Sequence, residues 1–267
     1  SFCLADSHII CADDEQAKDE VKNVLDLIEE VAGTFGLKKG DDFWYRLSLG
    51  DRADDKKYYK DDAAWEKSEG ILREVLQGQG VKFNEAKDEA AFYGPKIDIQ
   101  MKDVRGIENT AFTVQYDFVM PKRFNLVYTA KDGTEKLATV IHRSSIGAIE
   151  RSMAFLIEKY MGAFPLWLSP TQVKVIPVRE NHGEYAGKVH QMLVEAGIRS
   201  ELDLADENLG SKVRDAKTNK LPYWIVIGDK EVEAGKVTLE SRDAGQLGQM
   251  TAEELLAKLQ EEIKSKR

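Results

Sequence analysis

Cysteine is nearly absent. Cys3 and Cys11 are the only two in 267 residues, too few for a disulfide framework and in keeping with a reducing compartment. No apolar run approaches the roughly 20 residues that span a bilayer, and no secretory leader is legible, so a cytoplasmic chain with no membrane partner is expected. Internal repeats and low-complexity tracts are missing as well. Positive charge is in deficit: 38 Lys and Arg against 47 Asp and Glu leave a formal net charge of −9. Affinity for nucleic acid comes largely from neutralised phosphates, so charge alone argues against a DNA or RNA partner unless cations gather locally. An initiator Met and a polar lead-in are also lacking. The chain opens on SFCLADSHIICADD, inside what reads as a strand, and is expected to be a piece of a longer protein.

The length suffices for two cores. Apolar residues at Val21, Val24, Leu25, Ile28, Val31 and Phe35 predict an amphipathic helix opened by an acidic first turn. Trp44 to Leu49 reads as a strand, and Asp61 or Asp62 caps a second helix carrying Trp65, Leu72, Val75 and Leu76. Short alternating runs follow at 97–101, 112–118, 124–128 and 137–142, with Gly106, Pro121 and the Asp132-Gly133 hairpin signal between them. This predicts an antiparallel sheet flanked by helices. After Ser169-Pro170, strand and helix alternate at crossover spacing: 173–178, a helix stopped by Gly197, a strand over RSELDL, a helix over 208–219, WIVIG, a strand over EAGKVTLESR, and a last helix opened by the Thr251/Glu254 capping box.

Residues 140–173 carry the most chemistry. A β-branched run ends at His142, Gly147 follows, and Ile146, Ile149, Met153, Ile157 and Tyr160 form a helical stripe. Arg151 falls in the first turns of that helix. An imidazole at a strand end and a guanidinium beside it then share a cleft, where an always-charged fork suits a phosphate. A surface pair with Glu150 or Asp117 is the alternative for Arg151.

The order G-x-x-E-R at 147–151, the F-P-x-W-L exit and the S-P-x-Q-V restart resemble the last signature motif and domain junction of class II aminoacyl-tRNA synthetases, most closely the threonyl-tRNA synthetase family. F-x-x-x-D-x-H-I-x-C at 2–11, AAFYGPKIDIQMKD at 90–103, TVQYDF at 113–118 and GDKEVEAGKV at 228–237 follow in that family's order. The resemblance implies an α+β class II catalytic domain over 1–168, truncated at its N-terminus, then a small α/β anticodon-binding domain over 169–267. It implies ATP-dependent activation of L-threonine and transfer to tRNA(Thr) by a full-length homodimer. The piece alone is expected to be inactive, because the second-motif arginine and the first motif would precede Ser1. The alternative is a non-catalytic, synthetase-like RNA-binding paralogue.

The same resemblance assigns residues. His8 and His142 fall on two ligands of a Zn²⁺ whose Cys ligand is not in this chain; from spacing alone they read as half-buried histidines. Asp6, Tyr93 and Gln115 would face threonine. Lys96 would be a wall residue of the reacting centre, Arg151 would grip ATP phosphates with Mg²⁺, and Thr113 would also contact ATP. Without the family, Tyr93 reads equally as core and Lys96 as a solvated turn charge. Glu231, Asp206 and Arg242 would read the anticodon, among Lys212, Arg214, Lys217, Lys220, Lys230 and Lys236 as a basic face. Departures are Cys3, Leu4 and Ala5 where Thr-Gln-Asp is usual, Thr110 and Phe112 ahead of the T-x-Q block, and Ala205 and Glu240 where arginines are usual. A bulky Phe112 is expected to reshape the adenosine end of the cleft.

Overall fold

The structure, a computed structural model, describes residues 1–266. It divides into two compact units, Ser1–Leu156 and Ile157–Arg267. In the first, the elements run β1 (Leu4–Cys11), α1 (Asp14–Thr34), β2 (Phe43–Ser48), α2 (Asp62–Gly78), β3 (Phe83–Ala86), β4 (Lys96–Lys102), β5 (Glu108–Asp117), a single turn α3 (Met120–Arg123), β6 (Val127–Thr129), β7 (Glu135–Leu137), β8 (Thr139–Ala148) and α4 (Ile149–Tyr160). The main sheet has the order β1-β8-β5-β4-β2-β3. Its pairings are antiparallel except β2 with β3. That exception follows from the connection, because a strand returning through a helix such as α2 pairs parallel to the one it left.

Helix formation follows local rules. Asp13 caps α1 by accepting the Gln16 N–H, and acidic Asp14 and Glu15 face the positive end of the helix dipole. Asp61 caps α2 through the Ala64 N–H. Both helices turn their apolar stripes, Val21, Leu25 and Ile28 from α1, Leu72 and Leu76 from α2, onto one face of the sheet. There they meet Tyr45, Leu47, Ile97, Ile99, Phe112, Val114 and Tyr116.

Three local expectations change. FNLVY (124–128) is not a strand of the main sheet; the chain turns after α3, and only Val127–Thr129 pairs, with Glu135–Leu137, in a separate hairpin around Asp132-Gly133. His142 lies within β8, which runs on to Ala148, because β1 and β5 both continue to pair with it. The phase of α4 is set by that longer strand, so Ser152, Phe155 and Leu156 are its buried residues, whereas Ile149, Met153 and Ile157 are exposed.

The second unit holds β9 (Val173–Pro177), α5 (Gly183–Glu195), β10 (Ser200–Leu202), α6 (Leu209–Thr218), β11 (Tyr223–Ile227), α7 (Asp229–Ala234), β12 (Val237–Ser241), β13 (Gly245–Met250) and α8 (Ala252–Lys264). Strands β10, β9 and β11 are parallel, linked through α5 and α6, and β12 and β13 add antiparallel at one edge. The expected strand over EAGKVTLESR starts only at Val237, since residues 229–234 wind into α7 and stop at Gly235 in the left-handed region. RSELDL pairs over 200–202 alone.

Leu25 has no exposed surface on the helix-packed face. Leu25→Ala is expected to cost the first unit about 2–5 kcal/mol, through lost transfer energy plus the cavity left behind. Urea unfolding followed by tryptophan fluorescence checks this in a Trp167→Phe/Trp224→Phe background, where only Trp44 and Trp65 of the first unit report.

Candidate functional site

Strand residues alternate between two faces, so register partners line up in rows across a sheet. One face of the main sheet is the helix-packed core. On the other, one row runs His8, His142, Gln115, Lys96, Ser48, and the next runs Ser144, Thr113, Asp98, Arg46. Residues separated by more than a hundred positions are thereby neighbours.

A cavity of about 260 Å³ opens on this face, and Asp6, Tyr93, Thr113, Gln115, His142 and Arg151 line it. His8 packs against His142 with ring centroids 4.5 Å apart and planes at 74°. The Tyr93 ring lies 5.1 Å from that of His142 and its hydroxyl donates to Gln115 Oε1. Burial, then the charges of Asp117 and Asp6, push the Tyr93 phenol up, so it stays a donor at neutral pH. Two glycines make the site possible. A Cβ on Gly94 would fall 1.7 Å from the Tyr116 carbonyl oxygen, in the turn that aims Tyr93. Gly147 has φ +72°, and a Cβ there would lie 2.0 Å from the Ala111 oxygen, in the turn that delivers Arg151.

Arg151 donates to the Thr110 carbonyl at 2.6 Å. Neither acid considered as its partner is free for it. Both Glu150 oxygens take the Cys3 N–H at 3.0 Å, and Asp117 holds His142 Nε2 at 2.8 Å. Lys96, by contrast, is drawn onto Asp98 at 2.5 Å. Asp98 is fully buried and also accepts from Ser48 at 2.7 Å, Thr113 at 2.9 Å and Arg46 at 3.0 Å. Asp98, Arg46 and Ser48 had no sequence signal beyond alternation; only the register shows them to be one network. Phe112 is in register with Ile99 on the core face and 2 % exposed, and it also contributes to the cavity wall. Leu4 is at the cleft mouth, largely exposed.

In the second unit a cavity of about 760 Å³ sits at the carboxyl ends of β9 and β10, lined by Arg179, Glu184, Leu204, Asp206, Glu207 and Lys212 among others. This is where open parallel sheets generally take ligands. Glu231 follows β11 at the same end of the sheet and accepts from Thr238 at 2.7 Å, Gln249 at 2.8 Å and the Gly228 N–H at 3.0 Å. Arg242 is at the other end, since β12 runs back along β11, a strand length of about 15 Å away. There it donates to the carbonyls of Phe164 and Lys220 and to Asp243. Of the expected basic face, Lys212 is buried with its ammonium on the Asp203 carbonyl and Lys220 holds the Met161 carbonyl, while Arg214, Lys217, Lys230 and Lys236 are exposed.

The tRNA synthetase class II core domain family (G, H, P, S and T) matches residues 1–160, and the anticodon binding domain family matches 172–262. The threonine–tRNA ligase of Clostridium perfringens strain SM101 is 45 % identical over 262 residues, 98 % of this chain and 40 % of the relative. That of Geobacillus kaustophilus is 45 % identical over 265 residues, 99 % of this chain and 40 % of its own length. The chain thus spans two fifths of the curated relatives it matches. Among solved structures, the RNA binding domain of threonyl-tRNA synthetase from Cryptosporidium parvum Iowa II superposes with a TM-score of 0.88 at 32 % identity, covering 97 % of this chain and 64 % of the other.

Asp98→Ala leaves Arg46 and Lys96 without their shared buried anion, and the expected cost is about 3–5 kcal/mol, read from the urea midpoint. A change under about 1 kcal/mol would deny the network any stabilising part. Burial alone would raise the Glu231 pKa, but the Thr238 hydroxyl, the Gln249 amide and the Gly228 N–H together outweigh it and hold the carboxyl below its ordinary range. The unfolded chain therefore binds this proton more readily. The resulting stability is complete above the ordinary value of about 4.3 and fades as pH falls through the folded one. Glu231→Gln should flatten the acid limb of the stability profile between about pH 5 and 3.

Proposed function

The chain belongs to the tRNA synthetase class II core family, and from that premise we propose that it forms the amino-acid and phosphate wall of a threonine–tRNA ligase, followed along the chain by an anticodon-binding unit. The observation that carries this reading is the row His8–His142–Gln115, with Tyr93 and Asp6 beside it and Arg151 across the same cleft. We place the functional division at 1–168 and 169–267, between the two family matches.

Threonine sits with its polar groups toward Asp6, Tyr93 and Gln115. Its carboxylate oxygen attacks the α-phosphorus of ATP; the bond to the bridging oxygen breaks, and pyrophosphate leaves with the electron pair. Arg151, with the Mg²⁺ that accompanies ATP, meets charge developing on the phosphates, and Thr113 lies along the ATP path. A ribose hydroxyl at the tRNA 3′ end then attacks the threonyl carbonyl, and AMP departs. Lys96 acts from behind, through Asp98 and Thr113, rather than at the reacting atoms.

Two imidazoles packed edge to face, one backed by a buried carboxylate, are donors that suit zinc. Among the described residues no group of three His, Cys, Asp or Glu forms a metal site, so His8 and His142 would be two of the ligands and a third would come from outside this chain. When bound, zinc supplies a Lewis-acid seat for the amino and hydroxyl groups of threonine. Asp206 and Glu231, at one end of the second sheet, are placed to contact anticodon bases; Arg242, bound to carbonyls at the other end, would serve a different part of the RNA. The whole protein works as a cytoplasmic homodimer in this reading. The rival, an RNA-binding paralogue without catalysis, draws on Leu4 at the cleft mouth.

Pyrophosphate exchange separates the two. A full-length protein carrying this chain is expected to prefer threonine over valine by roughly 10⁴-fold or more, as sites built to bind a substrate hydroxyl do. Arg151→Ala should lower exchange by about 100-fold or more. The 267-residue chain alone should give none. Equal use of threonine and valine, or no exchange by the full-length protein, would refute the ligase reading.

A further inference from the structure

We propose that Asp117 is a positioning residue: it holds a proton on Nε2 of His142 and thereby leaves Nδ1 as that ring's lone-pair donor. What the lone pair serves rests on the zinc reading above; the orientation itself rests on hydrogen bonds alone.

Asp117 closes β5 and has no exposed surface. It lies two residues beyond Gln115, the register partner of His142, and so on the same face of the sheet. Its two oxygens have separate tasks. Oδ1 accepts the backbone N–H groups of Val119 and Met120, both at 2.9 Å, which fixes the carboxylate at the start of α3. Oδ2 faces His142 Nε2 at 2.8 Å. A carboxylate accepts and has nothing to donate, so the shared hydrogen belongs to Nε2. Nδ1, on the far side of Cε1, cannot reach the same acceptor. His8 at 4.5 Å and Tyr93 at 5.1 Å, centroid to centroid, pack against the ring and oppose its rotation. A buried carboxylate behind a histidine is how proteins settle which ring nitrogen a metal finds.

Asp117→Asn tests this directly. The amide oxygen can still accept from Val119 and Met120, so the turn keeps its acceptor and the fold its geometry. Its NH₂ then faces Nε2, which must accept, and the proton is expected to move to Nδ1. Long-range ¹H–¹⁵N correlation spectra of the ¹⁵N-histidine-labelled chain at about pH 8, where ordinary histidines are neutral, report the site of the proton. His142→Gln assigns the signals. The parent should show His142 protonated at Nε2 and the Asn variant at Nδ1, with amide spectra otherwise superimposable. Co²⁺ titration of a full-length protein carrying this chain, with and without Asp117→Asn, as a visible stand-in for zinc, should show roughly 10–100-fold weaker binding in the variant. Nδ1 protonation in the parent, or Nε2 protonation retained in the variant, would overturn the assignment. If the proton moves as expected and neither full-length form binds Co²⁺, the positioning role stands and the zinc reading falls.

Discussion

Period-two alternation along five strands is the constraint on which everything else depends. It sends Leu47, Ile97, Val114 and Ile141 to one side, where α1 and α2 seal them from water, and His142, Gln115, Lys96 and Ser48 to the other. Because one face is buried, a slip of one residue in any strand would push its apolar set into solvent and its polar set into the core. The hydrophobic cost of slippage therefore holds the polar rows in place, although those rows contribute little to burial themselves. Precision at the cleft is enforced from the opposite face of the sheet.

Charge allocation decides what the cleft offers. Asp98 is shared by Arg46 and Lys96, Glu150 is taken by the Cys3 N–H just ahead of β1, and Asp117 is divided between the start of α3 and His142. Each of these acids is held by partners of its own, while Arg151 donates to the Thr110 carbonyl and lines the cavity together with Asp6. In the second unit the allocation runs the other way: Arg242 and Lys220 are spent on carbonyls, and Glu184, Asp206 and Glu207 remain around the cavity. That balance agrees with the acidic composition and leaves Arg214, Lys230 and Lys236 as exposed cations.

Helices were legible where a cap and a 3.6-residue stripe coincided, as at Asp13 with α1, Asp61 with α2 and Thr251 with α8. The hairpin at Asp132-Gly133 was legible from its turn chemistry. The stripe of α4 misled because Ile149, Met153 and Ile157 have helical spacing but no core to face, and spacing cannot say which side of a helix is covered. The strand over 233–242 misled at its start, because its alternation ignored a helix that runs on to Ala234 and a left-handed stop at Gly235. Asp6, Tyr93, Thr113, Gln115, His142 and Arg151 were grouped by motif and do line one cleft.

By itself the amino-acid order determined the two-part organisation, the element types with strong caps and periods, and the identity of the chemistry-bearing side chains, since all of these follow from local propensity and short-range pattern. Only the tertiary structure decided that His8 lies beside His142, that Lys96 turns to Asp98 instead of the cleft, and that Glu231 and Arg242 occupy opposite ends of one sheet. Those outcomes depend on strand register and on competition among charges for partners distant in sequence, which no local pattern encodes.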